Sequence, residues 1–175
     1  MPFINNFFKN AWNINFSKIQ ALGFTIDSYN DVSTEDAPDG SIKVIINDTE
    51  ITIKLGGTHE TKPTTKGSVD YPWVEGEAFS IYIYDPAFTS VNQLFHVVGH
   101  EMQHAKHYAK GGKFWDWFHQ YGGGPQGRYL AKELSEMYAW QWNMKYYYVA
   151  PFEGGIFEFL SMWNKAYKSF LGYFG

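Results

Sequence analysis

The sequence predicts an α+β fold in a single domain over residues 1–175, and three observations carry that expectation. Residues 42–55 alternate apolar and polar side chains on either side of a turn, the pattern of a half-buried hairpin. Residues 89–112 instead repeat apolar side chains at helical spacing between clear start and stop signals. Two further helical patterns close the chain, and neither an internal repeat nor a shift in composition marks a second domain. At 175 residues the chain is long enough to bury a proper core as one unit.

Taken in order, residues 3–22 predict a first helix, with Phe7, Ala11, Phe16, Ile19 and Leu22 on its apolar face and Gly23 as its stop. Residues 24–28 can open a strand. The acidic segment Asp31 to Gly40, which carries Pro38, reads as a loop. Ile42, Val44 and Ile46 then alternate with polar neighbours, Asn47 to Glu50 turns, and Ile51, Ile53 and Leu55 alternate again. Residues 56–73 are rich in Gly, Thr, Lys and Pro without periodicity, which suggests a mobile loop or lid; His59 in it reads as a solvated side chain. Residues 78–84 form a third strand, stopped by Asp85-Pro86, whose exposed edge could take up an extended peptide. After the 89–112 helix come a dense aromatic stretch, Lys113 to Tyr121, and a glycine-rich turn in which Pro125 suits a helix start. A helix follows from Arg128 to Tyr148. The last helix, residues 154–172, carries Phe157, Leu160, Trp163, Ala166, Tyr167, Phe170 and Leu171 as a broad stripe expected to close the core.

Composition removes several function classes. The formal net charge of −4 comes without a basic block, which argues against nucleic-acid binding. With no cysteine, neither disulfides nor thiolate metal sites are available. No run of about 18 apolar residues exists to span a membrane. The first residues, MPFINNFFKNAWNINF, are broken by asparagines and lack the apolar core and cleavage site of a signal peptide. The compartment stays open, a secreted bacterial effector domain included. Aromatic residues make up 20% of the chain, an excess that leaves some for a cleft or a partner surface.

The chemistry concentrates in the stretch from Thr89 to Gly112. Ser90 can cap this helix with Gln93 three positions on, and Gly111 and Gly112 stop it. Val91, Leu94, Phe95, Val98, Met102, Ala105 and Ala109 form one apolar stripe. His96, His100, His104 and His107, four of the chain's six histidines, fall on the opposite side. Within them lies His100-Glu101-Met102-Gln103-His104, an H-E-x-x-H sequence. One turn apart, His100 and His104 can aim their imidazoles at one ion, and Glu101 beside them can reach a water on it. Zinc suits such a set: neutral imidazole nitrogens bind it, and a catalytic site keeps a position open for water. A third protein ligand is then needed. Glu133 and Glu136 share a face of the following helix, and a carboxylate there could supply it; the bland alternative is a solvated acidic pair beside Lys132.

His100-Glu101-x-x-His104, followed about thirty residues later by Glu136-Met137-Tyr138-Ala139, resembles the zincin metallopeptidases, in particular their gluzincin branch. The resemblance covers roughly residues 78–142. It implies His100, His104 and Glu136 as zinc ligands and Glu101 as general base, with Glu133 the fallback ligand one turn earlier. It also implies a small antiparallel sheet whose edge strand runs over the active helix, and hydrolysis of a peptide or protein substrate. The metzincin branch fits poorly, because it needs a glycine and a histidine where this chain has His107 and Lys110. Trp140 replaces the aspartate usual after E-x-x-A, so a partner that orients a ligand in some gluzincins is missing. His107 is the rival third ligand, though three ligands on one straight helix strain a tetrahedral geometry. Tyr138, Tyr146 and Tyr108 are candidate donors to the transition state, with Tyr138 preferred. A noncatalytic binding module with the same fold is the reading from a different class. Oligomeric state is not written in the sequence.

Overall fold

The computed structural model describes residues 33–36, 41–151 and 154–175; the helix expected at 3–22 and the strand expected at 24–28 lie outside them. The described residues form a mixed α+β fold. Five strands, β1 (Ser33–Asp36), β2 (Ile42–Ile46), β3 (Thr49–Leu55), β4 (Gly67–Val69) and β5 (Phe79–Ile83), make one sheet in the order β1-β2-β3-β5-β4. A 3-10 turn, Asp85–Thr89, leads into four helices: α1 (Val91–Tyr108), α2 (Lys113–Gln120), α3 (Gly124–Tyr146) and α4 (Gly155–Gly172). Among the described residues no helix is long and apolar enough to cross a membrane.

The hairpin forms as its alternation predicts, but with a tighter turn. Ile46 pairs with Thr49, so only Asn47 and Asp48 turn the chain. Their φ angles of 47° and 60° suit a two-residue turn that follows the strands' twist, a conformation Asn and Asp tolerate. The turn also closes the far end of α1. Thr49 Oγ1 accepts from the Lys110 backbone N–H at 2.9 Å, and Asn47 Nδ2 donates to Lys110 O at 3.1 Å. Alternate side chains of the sheet, Val44, Ile46, Ile51, Ile53, Ile81 and Ile83, are buried in one cluster with Leu94, Val98, Met102 and Ala105 of α1. The apolar stripe read from the sequence is therefore, from Leu94 onward, the buried face of α1, whereas Val91 at its start is exposed.

Four expectations are corrected. The stretch 31–40 is not all loop: Ser33–Asp36 pairs antiparallel with β2 as an edge strand. Residues 56–73 are not a free lid, because the segment joins β3 to β5 and carries β4 on the way. The sheet is mixed rather than antiparallel, since β3 and β5 run parallel with Ile53 opposite Ile81. The strand at 78–84 has no open edge, being flanked by β3 and β4; the border strand on that side of the sheet is β4.

The helices layer outward from the sheet. α3 lies across α1 and is covered in turn by α4, with α2 against its first turns. Its start at Gly124 lies four residues ahead of the expected Arg128, because Pro125 occupies the first turn, where no N–H is needed. α1 and α3 approach closely at Gly99, where any Cβ would collide with the six-membered ring of Trp142. Gly99→Ala is thus expected to destabilise the protein by about 1–3 kcal/mol through overpacking, measured by denaturant unfolding. The last helix packs differently from its predicted stripe. Phe159 and Ala166 are its buried residues, while Phe157, at 78% exposure, Leu160 and Leu171 face outward. Phe159 wins because it fits against the ring of His96, at 4.8 Å between centroids, beneath α3.

Candidate functional site

α1 begins as the capping pattern predicts, with Ser90 Oγ accepting from the Gln93 backbone N–H at 3.0 Å, and its histidine face is not solvated. His96, His100, His104 and His107 are 2%, 7%, 1% and 4% exposed. Four imidazoles taken out of water need internal partners. α3 supplies most of them from Ser135 and Asn143, which lie on the same face as Ala139 at i, i+4, i+8 spacing.

Those partners set which ring nitrogens carry protons. Asn143 Nδ2 donates to His96 O at 2.9 Å, which fixes the amide so that Oδ1 faces His100 Nδ1 at 3.0 Å. An acceptor there requires His100 to carry its proton on Nδ1 and to hold out a bare Nε2. His96 takes the other side of the amide, Nδ1 lying 3.2 Å from Asn143 Nδ2, and donates from Nε2 to Ala150 O at 2.8 Å. Burial keeps His96 neutral by pulling its pKa down to about 4. Ser135 Oγ sits between two rings, 2.8 Å from His104 Nδ1 and 2.9 Å from His107 Nδ1. One hydroxyl can accept from one and donate to the other. With His104 protonated on Nδ1, its Nε2 is bare too.

The two free Nε2 atoms converge 3.2 Å apart. The Glu136 carboxylate straddles them, Oε2 3.4 Å from His100 Nε2 and Oε1 3.5 Å from His104 Nε2. Ligands about 2.0–2.1 Å from a tetrahedral ion stand about 3.3–3.4 Å from one another. The two ring nitrogens match that spacing, and with one Glu136 carboxylate oxygen they form a group of donor atoms within 4.8 Å of one another that could hold a metal ion. Burial works against charge on His100 and Glu136, yet their attraction to the neighbouring groups prevails. For His100, burial lowers the pKa, but the Glu136 hydrogen bond and the charges of Glu101 and Glu136 raise it overall. For Glu136, burial raises the pKa, while the His104 charge and the hydrogen bonds to both rings hold it well below the carboxylate range.

Glu101 stands apart from this triangle. It is 6% exposed, and burial pushes its pKa up despite the neighbouring histidines. Its carboxylate lies directly over Gly67 of β4, where any side chain would strike Oε1. Glycine at 67 is therefore what lets the border strand pass next to the acid. Along that strand, Tyr84 N donates to Lys66 O and Asp70 N to Ser80 O, both at 2.9 Å. Ser68, two residues from each, shares their side of the ladder, so the N–H and C=O groups of Gly67 and Val69 point away from β5. A cleft of about 800 Å³ opens here, lined by β4, Tyr71, His100, His104, Glu136, Glu101, Lys132 and Trp140.

The other candidates separate. Glu133 turns to Ser169 on α4 rather than to the histidines. His107 points to Ser135 and is kept neutral, chiefly by burial and then by the His104 charge. Tyr138, expected as a transition-state donor, instead stacks on Trp117 at 5.2 Å and meets the far side of His107. Tyr146 packs on Trp142, and Tyr108 is wholly buried beside His104. The hydroxyl that does reach the site belongs to Tyr71, whose Oη is 3.5 Å from Glu136 Oε1. Burial, with the neighbouring Tyr108 and Glu136, raises the Tyr71 pKa so far that it stays a donor. Sequence reasoning passes over Tyr71 because it lies in an aperiodic stretch. His59 lines the outer cleft against Tyr84, and His119 is exposed on α2.

No protein-family model matches the sequence, and neither does any curated protein or solved structure.

Proposed function

We propose that the protein is a zinc-dependent metallopeptidase of zincin type, hydrolysing a peptide bond in its cleft. The observation that carries this reading is the gathering of His100, His104 and Glu136, the two Nε2 atoms 3.2 Å apart and each within 3.5 Å of one oxygen of the same carboxylate. Two histidines and a carboxylate leave a tetrahedral ion one position for water, the donor set of a catalytic rather than a structural zinc. When bound there, zinc would act as a Lewis acid on the scissile carbonyl and bring a water's pKa toward about 7.

The chain's own groups divide the remaining work. Glu101 takes the proton of the attacking water as its oxygen bonds to the carbonyl carbon, and returns it to the amide nitrogen as the C–N bond breaks. A carboxyl whose pKa is raised by burial is suited to both halves of that transfer. Tyr71 can donate from Oη to the oxygen that gains charge. The outward groups of Gly67 and Val69 can hold an extended substrate as an added strand, directly beside the base.

Zinc content and hydrolysis of a peptide panel test the proposal together. About one zinc per chain is expected, with cleavage that stops on chelation and returns with added zinc; a protein that takes up no zinc would sink the reading. Ser135→Ala probes the supporting hydrogen bonds. Loss of the hydroxyl that orients His104 is expected to weaken zinc binding about 10- to 100-fold, read by competition with a chromophoric chelator.

A further inference from the structure

Lys132 occupies the cleft one helical turn before Glu136, on the same face of α3. Its ammonium lies over the Tyr71 ring, 4.2 Å from the centroid. That ring is held at both ends, by the Oη contact to Glu136 and by an edge-to-face contact with Tyr108 at 5.0 Å. The cation is therefore fixed one phenol ring away from the metal-ligand triad. Among the described residues it closes no direct ion pair; its charge is felt by the neighbouring Glu133, whose pKa, raised by burial, it pulls down. Three acids of the cleft are engaged elsewhere: Glu136 by the two histidines, Asp70 by Tyr82 Oη at 2.9 Å, and Glu158 by Lys66 at 3.6 Å. Lys62, also in the cleft lining, is exposed, whereas Lys132 is half-buried. At the other end of the cleft the lining turns apolar with Trp140, Phe159 and Met162, and Trp140 lies 4.1 Å from the His100 ring. The cleft thus offers a seated cation that closes no direct ion pair on the Glu136 side of the triad and an aromatic wall on the His100 side.

We infer that Lys132 is the carboxylate anchor of this cleft, selecting substrates that place an anionic group one or two residues from the scissile bond. The inference rests on the peptidase reading and deepens it. A half-buried ammonium that closes no direct ion pair gains more from a carboxylate than an exposed lysine does, because less water screens the pair. The carboxylate can come from a substrate's C-terminus or from an Asp or Glu side chain.

The test uses matched peptides: a free C-terminal acid against its amide, and an internal Glu against Gln. Cleavage is followed by the ratio of kcat/KM within each pair. Binding of the same peptides to the metal-loaded Glu101→Gln protein is followed by fluorescence anisotropy. Wild type is expected to favour one carboxylate-bearing peptide by about tenfold. The pair that shows the preference identifies the source: acid over amide means a C-terminus, Glu over Gln a side chain. Lys132→Met should bring both the kinetic and the binding ratios to about twofold or less, and Lys132→Arg should retain part of the preference. Equal handling of both members of each pair by wild type, or a preference that survives Lys132→Met, overturns the inference while leaving the peptidase reading intact. Carboxylate-dependent binding that needs Lys132, without any cleavage by wild type, overturns the peptidase reading and keeps the anchor. Absence of both cleavage and carboxylate-dependent binding overturns both.

Discussion

Glu101→Gln is expected to lower kcat by about 10²- to 10⁴-fold while leaving zinc content at the wild-type level. The two effects separate because Glu101 is outside the triangle of His100, His104 and Glu136. Glutamine keeps the shape that packs over Gly67 but cannot take a proton from water. Stability should not suffer either. The Glu101 carboxyl has a raised pKa in the fold, so ionising it as the pH climbs past its unfolded value costs the metal-free protein stability. Removing that charge is expected to leave the metal-free variant at pH 7 at least as stable as metal-free wild type, by thermal unfolding. A variant that cleaves as fast as wild type would exclude Glu101 as the base; one that loses zinc as well would place it among the ligands.

Glu136→Ala is expected to weaken zinc binding by more than the roughly 100-fold that an outer partner can cost, whereas Glu133→Ala should leave it within a few fold. Glu136 is the group that faces both bare imidazole nitrogens, and Glu133 is committed to Ser169 on the opposite neighbour. Zinc titration of the two variants reads this directly. A loss confined to Glu133→Ala would move the third ligand by one turn. Protons compete with metal for the same lone pairs. Since Glu136 and Glu101 raise the pKa of His100 above its ordinary 6.5, apparent zinc affinity should begin to fall at a pH higher than an unperturbed histidine would give. In Glu136→Ala, with the nearest of those charges gone, the onset should shift to lower pH.

Much of this site is legible in the amino-acid sequence, and the reason is periodicity. His100, His104, Glu101 and Glu136 sit on long helices, where spacing alone places side chains on a face. The capping serine and the hairpin are legible for the same reason. What escapes lies where no period operates. β4 is three residues long, and Gly-Ser-Val has too little alternation to show. β1, Ser-Thr-Glu-Asp, is an edge strand with no apolar alternation at all. Tyr71 follows β4 in a stretch rich in turn-formers, so nothing local announces that its hydroxyl meets Glu136. The histidine face carries a different difficulty. Its polarity suggests contact with water, whereas Ser135 and Asn143 on another helix satisfy it internally. Helix α4 carries apolar residues around more of its circumference than it buries, and its pattern does not choose between Phe159 and Phe157.

The parallel pairing of β3 with β5 divides the molecule in a way that bears on how it could change. Strands that run the same way cannot be joined by a tight turn, so the chain between them must travel out and return. Here that excursion, residues 56–78, contributes β4, Gly67, Tyr71 and His59 to the cleft, while His100, Glu101, His104 and Glu136 all come from α1 and α3. Apart from Tyr71, which reaches Glu136 from the excursion, reagents and mould are therefore encoded in separate stretches. Shortening, lengthening or grafting the excursion outside Gly67 and Tyr71 would reshape what the cleft admits while leaving His100, His104 and Glu136 on their helices. Within it, position 67 is a seam, since there the replaceable half presses against Glu101.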